Sequence, residues 1–258
     1  MRPCVEAPFS VRGRAYGGAQ PLFCVPLVAP DSAQLKIQAE VARDLKPDLI
    51  EWRADFSKDL TPAGLIDAAK LLRTVVGDVP VIYTLRIKAE GGAQEMDQAA
   101  RKESIEAVTA SGLVDLVDFE LCNGSEFCQP IIKVARKHGV RVILSSHDFK
   151  TTPPNEVLLA TIGAMSREGA DVAKVAVMPQ QPGDVLRLLQ ATLEARRTFP
   201  NLPLVTMSMG AMGSISRVAG FLYGSDMAFA VGKEASAPGQ IPLADARIMT
   251  ELLVRYGA

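Results

Sequence analysis

Three observations predict an α/β chain closing as a parallel (β/α)8 (TIM) barrel. Short apolar runs rich in Val, Ile and Leu alternate with stretches of helical spacing from residue 22 onward. About eight such strand–helix units fit in roughly 235 residues, the size of that fold. Polar residues recur at the carboxyl ends of the apolar runs, where barrels carry their chemistry. A doubly wound open sheet is the competing arrangement, but no GxGxxG follows the first strand. No Pro/Ser-rich linker, charge block or shift of composition divides the chain, so residues 1–258 are expected to form one barrel domain.

Residues 8–20 come first. Phe9 and Val11, the Arg12-Gly13 pair, Tyr16 and Gly17-Gly18 predict a β-hairpin that covers the N-terminal end of the barrel. Residues 22–28 form the first barrel strand. The spacing of Leu35, Val41 and Leu45 makes 32–45 a helix. Residues 48–53 are a strand, and Pro62 in the first turn opens a helix over 61–76. Apolar, β-branched content marks strands at 79–87, 113–121 and 141–146. Helices span 94–111 and 125–138, the second stopped by Gly139. A helix over 155–169 precedes the strand at 171–179. Helices over 183–198, 215–222 and 243–256 then alternate with strands at 203–209 and 226–231.

Composition narrows the function. A formal net charge of -1 gives no footprint for nucleic acid or an anionic membrane. The apolar runs are too short to span a bilayer, so no membrane association is expected. The first twenty residues contain Arg2, Arg12 and Arg14 without an apolar core, so no secretory signal is expected. Cys4, Cys24, Cys122 and Cys128 lack metal-binding spacing and predict reduced thiols in a cytoplasmic protein. With His138 and His147 as the histidines, a multi-histidine metal site is excluded, whereas carboxylate-bound magnesium is not.

The stretch Asp171-Val172-Ala173-Lys174-Val175-Ala176-Val177-Met178-Pro179 places a lysine inside a buried strand. Desolvation disfavours an ammonium, and a neutral amine is a nucleophile that can form a Schiff base with a carbonyl. An ion-paired structural lysine fits the same strand. Other strand ends supply Glu51 and Arg53 on one face of their strand, Arg86 leading into Glu90, and His147 after Ser145-Ser146. Met207 and Met209 close a further strand, with Arg217 at the start of the next helix. The small-residue loop Ala235-Ser236-Ala237-Pro238-Gly239-Gln240 is suited to open and close over a ligand. Taken singly, Glu51 and Arg53 can pair with each other, His147 can be a satisfied structural histidine, and Arg217 can hold a structural acid. Together at one end of one fold, these groups predict a Schiff-base enzyme for a small, oxygen-rich anion, without metal or organic cofactor.

These stretches resemble the type I 3-dehydroquinate dehydratase family along nearly the whole chain. The resemblance is carried by Glu51-Trp52-Arg53-Ala54-Asp55, Thr84-Leu85-Arg86 with Glu90-Gly91-Gly92, Ser146-His147-Asp148-Phe149 and Lys174-Val175-Ala176-Val177-Met178-Pro179. Met207-Ser208-Met209-Gly210, Ser216-Arg217 and Ala235-Ser236-Ala237-Pro238-Gly239-Gln240 follow in family order. The chain departs from some members in having Val25-Pro26-Leu27 where they carry a serine near the substrate. The resemblance implies a cytoplasmic homodimer that dehydrates 3-dehydroquinate to 3-dehydroshikimate. Lys174 would form the imine, His147 would move the protons, and Glu90 would orient that imidazole. Glu51, Arg53 and Arg86 would surround the ring hydroxyls and the reacting edge. Arg217, with Ser236 and Gln240 of the lid beside Ala237, would bind the carboxylate. Met207, Met209 and Phe229 would form an apolar wall that helps keep Lys174 neutral. A class I aldolase or transaldolase, and a non-catalytic sensor of quinate-like ligands, are the alternative functions.

Overall fold

The computed structural model describes residues 2–232 and 237–256. Strands β1 (Phe9–Val11) and β2 (Arg14–Tyr16) pair antiparallel, forming the expected hairpin. Eight parallel barrel strands follow among the described residues, besides a two-residue strand at Ile241–Pro242 that pairs parallel with the last of them: β3 (Leu22–Leu27), β4 (Leu49–Arg53), β5 (Val81–Thr84), β6 (Leu116–Glu120), β7 (Arg141–Asp148), β8 (Val172–Val177), β9 (Leu204–Ser208) and β10 (Met227–Val231). They lie side by side in chain order, and β10 returns to pair with β3. One helix follows each: α1 (Ser32–Asp44), α2 (Pro62–Val76), α3 (Gln98–Ala110), α4 (Ser125–His138), α5 (Asn155–Glu168), α6 (Pro182–Thr198), α7 (Ile215–Ala219) and α8 (Leu243–Tyr256). No helix among the described residues is long and apolar enough to cross a membrane.

The barrel joins at β9 and β10 by an unusual seam. A single backbone bridge runs from Leu204 of β9 to Ser225, just ahead of β10. Side chains replace the rest of the ladder: the Asp226 carboxylate accepts the Leu204 N–H at 2.8 Å, and Ser225 Oγ accepts the Thr206 N–H at 3.1 Å. Arg196 from α6 and Arg2 from the N-terminal segment both pair with Asp226. The two buried cations offset part of that carboxylate's desolvation, although burial still holds it above its ordinary value.

Local sequence sets where elements begin. Asp31 caps α1 by accepting the Gln34 N–H, and Thr61 caps α2 through the Gly64 N–H. Asp97 accepts the N–H groups of Ala99 and Ala100, so α3 starts at Gln98 rather than at 94. The intervening Lys88–Glu90 forms a 3₁₀ turn instead. Strand β7 runs on to Asp148 because His147 and Asp148 still pair with Ala176 and Val177. Helix α7 stops at Ala219 and passes into a 3₁₀ turn over Gly220–Tyr223.

Alternation along each strand separates two cores. Outward residues such as Ile50, Trp52, Tyr83, Val117, Phe119, Leu144 and Val175 pack beneath the helices. Inward residues form layers. The lower layer is apolar, with Leu49, Ile82, Leu116, Ile143, Val172 and Val205 closed from below by Tyr16 of the hairpin. Two residues higher, the inward positions turn polar: Glu51, Thr84, Asp118, Ser145 and Lys174, all buried. This step from apolar to charged along the same strands places the chemistry at their carboxyl ends.

Candidate active site

A cleft opens at that end of the barrel. Glu51 and Arg53 reach it from β4, His147 from β7, Lys174 and Ala176 from β8, Met207 from β9 and Phe229 from β10. Arg86, Glu90 and Gly91 enter from the turn after β5, Phe149 from beyond β7, Met209 from beyond β9, and Ala237 and Gln240 from the last loop. The first barrel strand gives no lining residue among those described, in keeping with its departure at Val25-Pro26.

Lys174 is not surrounded by apolar groups alone. Its Nζ lies 2.7 Å from Asp118 Oδ2 and 3.4 Å from Glu51 Oε1, and 4.5 Å from the centre of the Phe229 ring. The expected apolar wall is present, but the amine is ion-paired rather than isolated. The reason is long-range: β6 brings Asp118 beneath the lysine, and a buried ammonium needs such a partner. Asp118 also accepts from Arg86 at 2.8 Å and from Ser145 Oγ at 2.6 Å. Burial alone would raise the Asp118 carboxyl, but Arg86 and Lys174 outweigh it and hold it well below the usual range. Burial would likewise lower the Arg86 guanidinium, yet Asp118, Glu120 and Glu51 hold it above its ordinary value.

His147 and Glu90 meet across 57 positions of sequence. Glu90 Oε2 accepts the His147 backbone N–H at 2.8 Å and lies 2.9 Å from the ring Nδ1. An oxygen already accepting a backbone proton is an acceptor, so Nδ1 carries the hydrogen and Nε2 is left with its lone pair. Burial, reinforced by Arg86 and Lys174, pushes the His147 imidazole well below the ordinary histidine value. The ring is therefore neutral at neutral pH, in the state required of a base. Burial also raises Glu90, against the pull of Cys122 and Arg86.

Arg53 forms a two-pronged pair with Asp55, both contacts at 2.8 Å, rather than pairing with Glu51. It also donates to Gly91 O at 3.1 Å. Gly91 sits at φ +86°, and a β-carbon there would meet the Phe149 ring. Arg217 does not line the cleft itself. It is buried behind Met207, with Nη1 3.7 Å from the Met207 sulfur and Nη2 donating to Pro238 O at 2.9 Å. Its Nε has no hydrogen-bond partner, and burial lowers its guanidinium to about 10. Ser236 lies outside the described residues.

Sequence reading passed over Asp118 and Glu120, and quoted Ser145 and Asp55 without giving either a role. The signal was present in Leu116-Val117-Asp118-Phe119-Glu120, where two acids alternate with apolar residues in a strand flanked by buried runs. Carboxylates facing a barrel interior require cations, and Arg86 and Lys174 were the available ones. Asp148, beside His147 in sequence, does not orient it. It accepts the N–H groups of Lys150 and Thr151 and closes a turn.

Comparison with known proteins gives the family. The model of the type I 3-dehydroquinase family matches residues 23–255. A 3-dehydroquinate dehydratase of Geobacillus thermodenitrificans is 42% identical over 249 residues, 96% of each chain. The crystal structure of 3-dehydroquinate dehydratase from Geobacillus kaustophilus HTA426 superposes with a TM-score of 0.96 at 42% identity, covering 100% of both chains. That of the type I enzyme from Clostridium difficile with covalently modified comenic acid gives 0.93 at 35% identity, over 96% of this chain and 98% of that one. Matched in sequence and in backbone along almost its full length, the chain belongs to the type I 3-dehydroquinase family.

Proposed function

We propose that the chain converts 3-dehydroquinate to 3-dehydroshikimate by syn elimination through an imine on Lys174, in the shikimate route to chorismate and the aromatic amino acids. The observation that carries this reading is the pairing of a buried strand lysine with a neutral, Glu90-anchored imidazole in one cleft. The Lys174 amine, free of its extra proton, adds to the ring ketone, and loss of water gives an iminium ion. That ion is again a cation beside Asp118 and Glu51, so the carboxylates that hold the ammonium also stabilise the intermediate. Nε2 of His147 removes a proton from the adjacent carbon, with the electron pair taken up by the iminium. The same imidazolium then returns the proton to the departing hydroxyl on the same face. Water hydrolyses the imine, releasing product and Lys174.

Arg217 supplies the cation for the substrate carboxylate in this reading. Its Nε lacks a partner, and it has no carboxylate partner among the described residues. A buried guanidinium in that condition favours an incoming anion. Pro238 O, which it now holds, ties the lid to the same group.

Intact-protein mass after mixing with 3-dehydroquinate and borohydride tests the reading. A reduced adduct mapped to Lys174, absent in Lys174→Ala, is expected together with loss of turnover in that variant. Binding without an adduct would instead support a non-catalytic sensor. Absence of both, with an adduct from a sugar phosphate, would support an aldolase.

A further inference from the structure

We propose that Arg101, on helix α3 outside the barrel, is a positioning residue that fixes Arg86 in the active site through Glu120. This rests on the proposed function together with the role the family resemblance implies for Arg86, which lines the cleft, at the reacting edge of the substrate. Arg101 is buried, although its helix belongs to the outer ring. Its Nη2 donates to Glu120 Oε2 at 2.5 Å and its Nε to Leu85 O at 2.7 Å. Nη1 reaches Asn123 at 3.1 Å, and the Phe127 ring lies 4.9 Å beneath the guanidinium. A cation is costly at such a depth, and packing against Phe127 needs no charge.

The charge is explained by what lies inward. Glu120 Oε1 accepts from Arg86 Nη1 at 2.7 Å and from the Ile87 N–H at 3.3 Å. Arg86 continues to Asp118 at 2.8 Å, and Asp118 to Lys174 at 2.7 Å. Arg101, Glu120, Arg86, Asp118 and Lys174 thus form an unbroken line of alternating sign from the outer helix to the reacting amine. Each carboxylate in the line is shared by two cations. Without Arg101, Glu120 has Arg86 as its single cation and draws it away from Asp118. Without Glu120, Arg101 repels Arg86 from the far side. Removing both shortens the line by one neutral pair and leaves Arg86 on Asp118.

Arg101→Met, Glu120→Gln and the double variant test this by steady-state kinetics, with folding followed by circular dichroism. Each single change is expected to lower kcat/KM about tenfold, and the double variant to return to within about threefold of the unmodified enzyme. Arg101→Lys, which keeps the charge but loses the planar fork, is expected to fall between. If one single variant does not fold, the other and the double carry the same comparison. Losses that multiply in the double variant, or a folded Arg101→Met within twofold of normal, would overturn the proposal. Arg86→Met is the control for the underlying reading. Normal kcat/KM in that variant would remove Arg86 from the substrate site, whatever Arg101 does.

Discussion

The two central residues meet different neighbours. Lys174 faces Asp118 and Glu51, whereas His147 is held below its ordinary value by burial and by Arg86 and Lys174. As pH falls through about 6.5, an ordinary histidine would gain a proton and cease to act as a base. His147 stays neutral there, so kcat/KM is expected to remain level through that region and to fall only at lower pH. A pH profile with its acid limb at or above the ordinary histidine value would contradict this assignment. His147→Ala should slow turnover by about 10²–10⁴ while still giving the borohydride adduct. Asp118→Asn leaves Arg86 and Lys174 without their shared carboxylate. Breaking such a buried pair should cost about 3–5 kcal/mol, measurable by urea unfolding.

At the level of the element, the last loop and the hairpin work at opposite ends of the barrel. Gly239 sits at φ +77°, and a β-carbon there would run into the backbone of Gly210. Its neighbour Pro238 O accepts both the Gly210 N–H at 3.2 Å and Arg217 at 2.9 Å. Gly239→Ala should therefore hold the lid off and raise KM about tenfold, with little change in melting temperature. The hairpin behaves in the reverse way. Tyr16 is fully buried at the base of the barrel and stacks on Phe9 at 4.9 Å. Tyr16→Ala should cost on the order of 3 kcal/mol of stability with KM unchanged, because the polar layer separates it from the cleft.

Across the whole molecule, buried charge is concentrated at the seam around Asp226 and in the line from Arg101 to Lys174. The second makes stability depend on pH. Asp118 is held well below the range it has in the unfolded chain, so its contribution is present above about pH 3.9 and lost as pH falls below that value. Acid unfolding should steepen there. In Asp118→Asn the same stretch of the stability–pH curve should be flatter, which urea midpoints taken from pH 5 downward would show.

Much of this was legible in the chain itself. Apolar runs of period two, helices opened by Thr61-Pro62 and stopped by Gly139, and a lysine inside Val172–Val177 predicted the barrel and its candidate reacting residue, because these signals are local. The ordered motifs likewise determined the family. What the tertiary structure decided was which charge meets which. Arg53 is served by Asp55 and not by Glu51, and Lys174 by an aspartate on a strand read only as core, whereas the pairing of His147 with Glu90 was already implied by the family resemblance. Arg217 proved to be held by a lid carbonyl rather than by an acid. The reason is that an ion pair depends on separation in space, and strand register sets that separation across tens of residues. Alternation tells which residues face inward, but the closure of the barrel selects the partners.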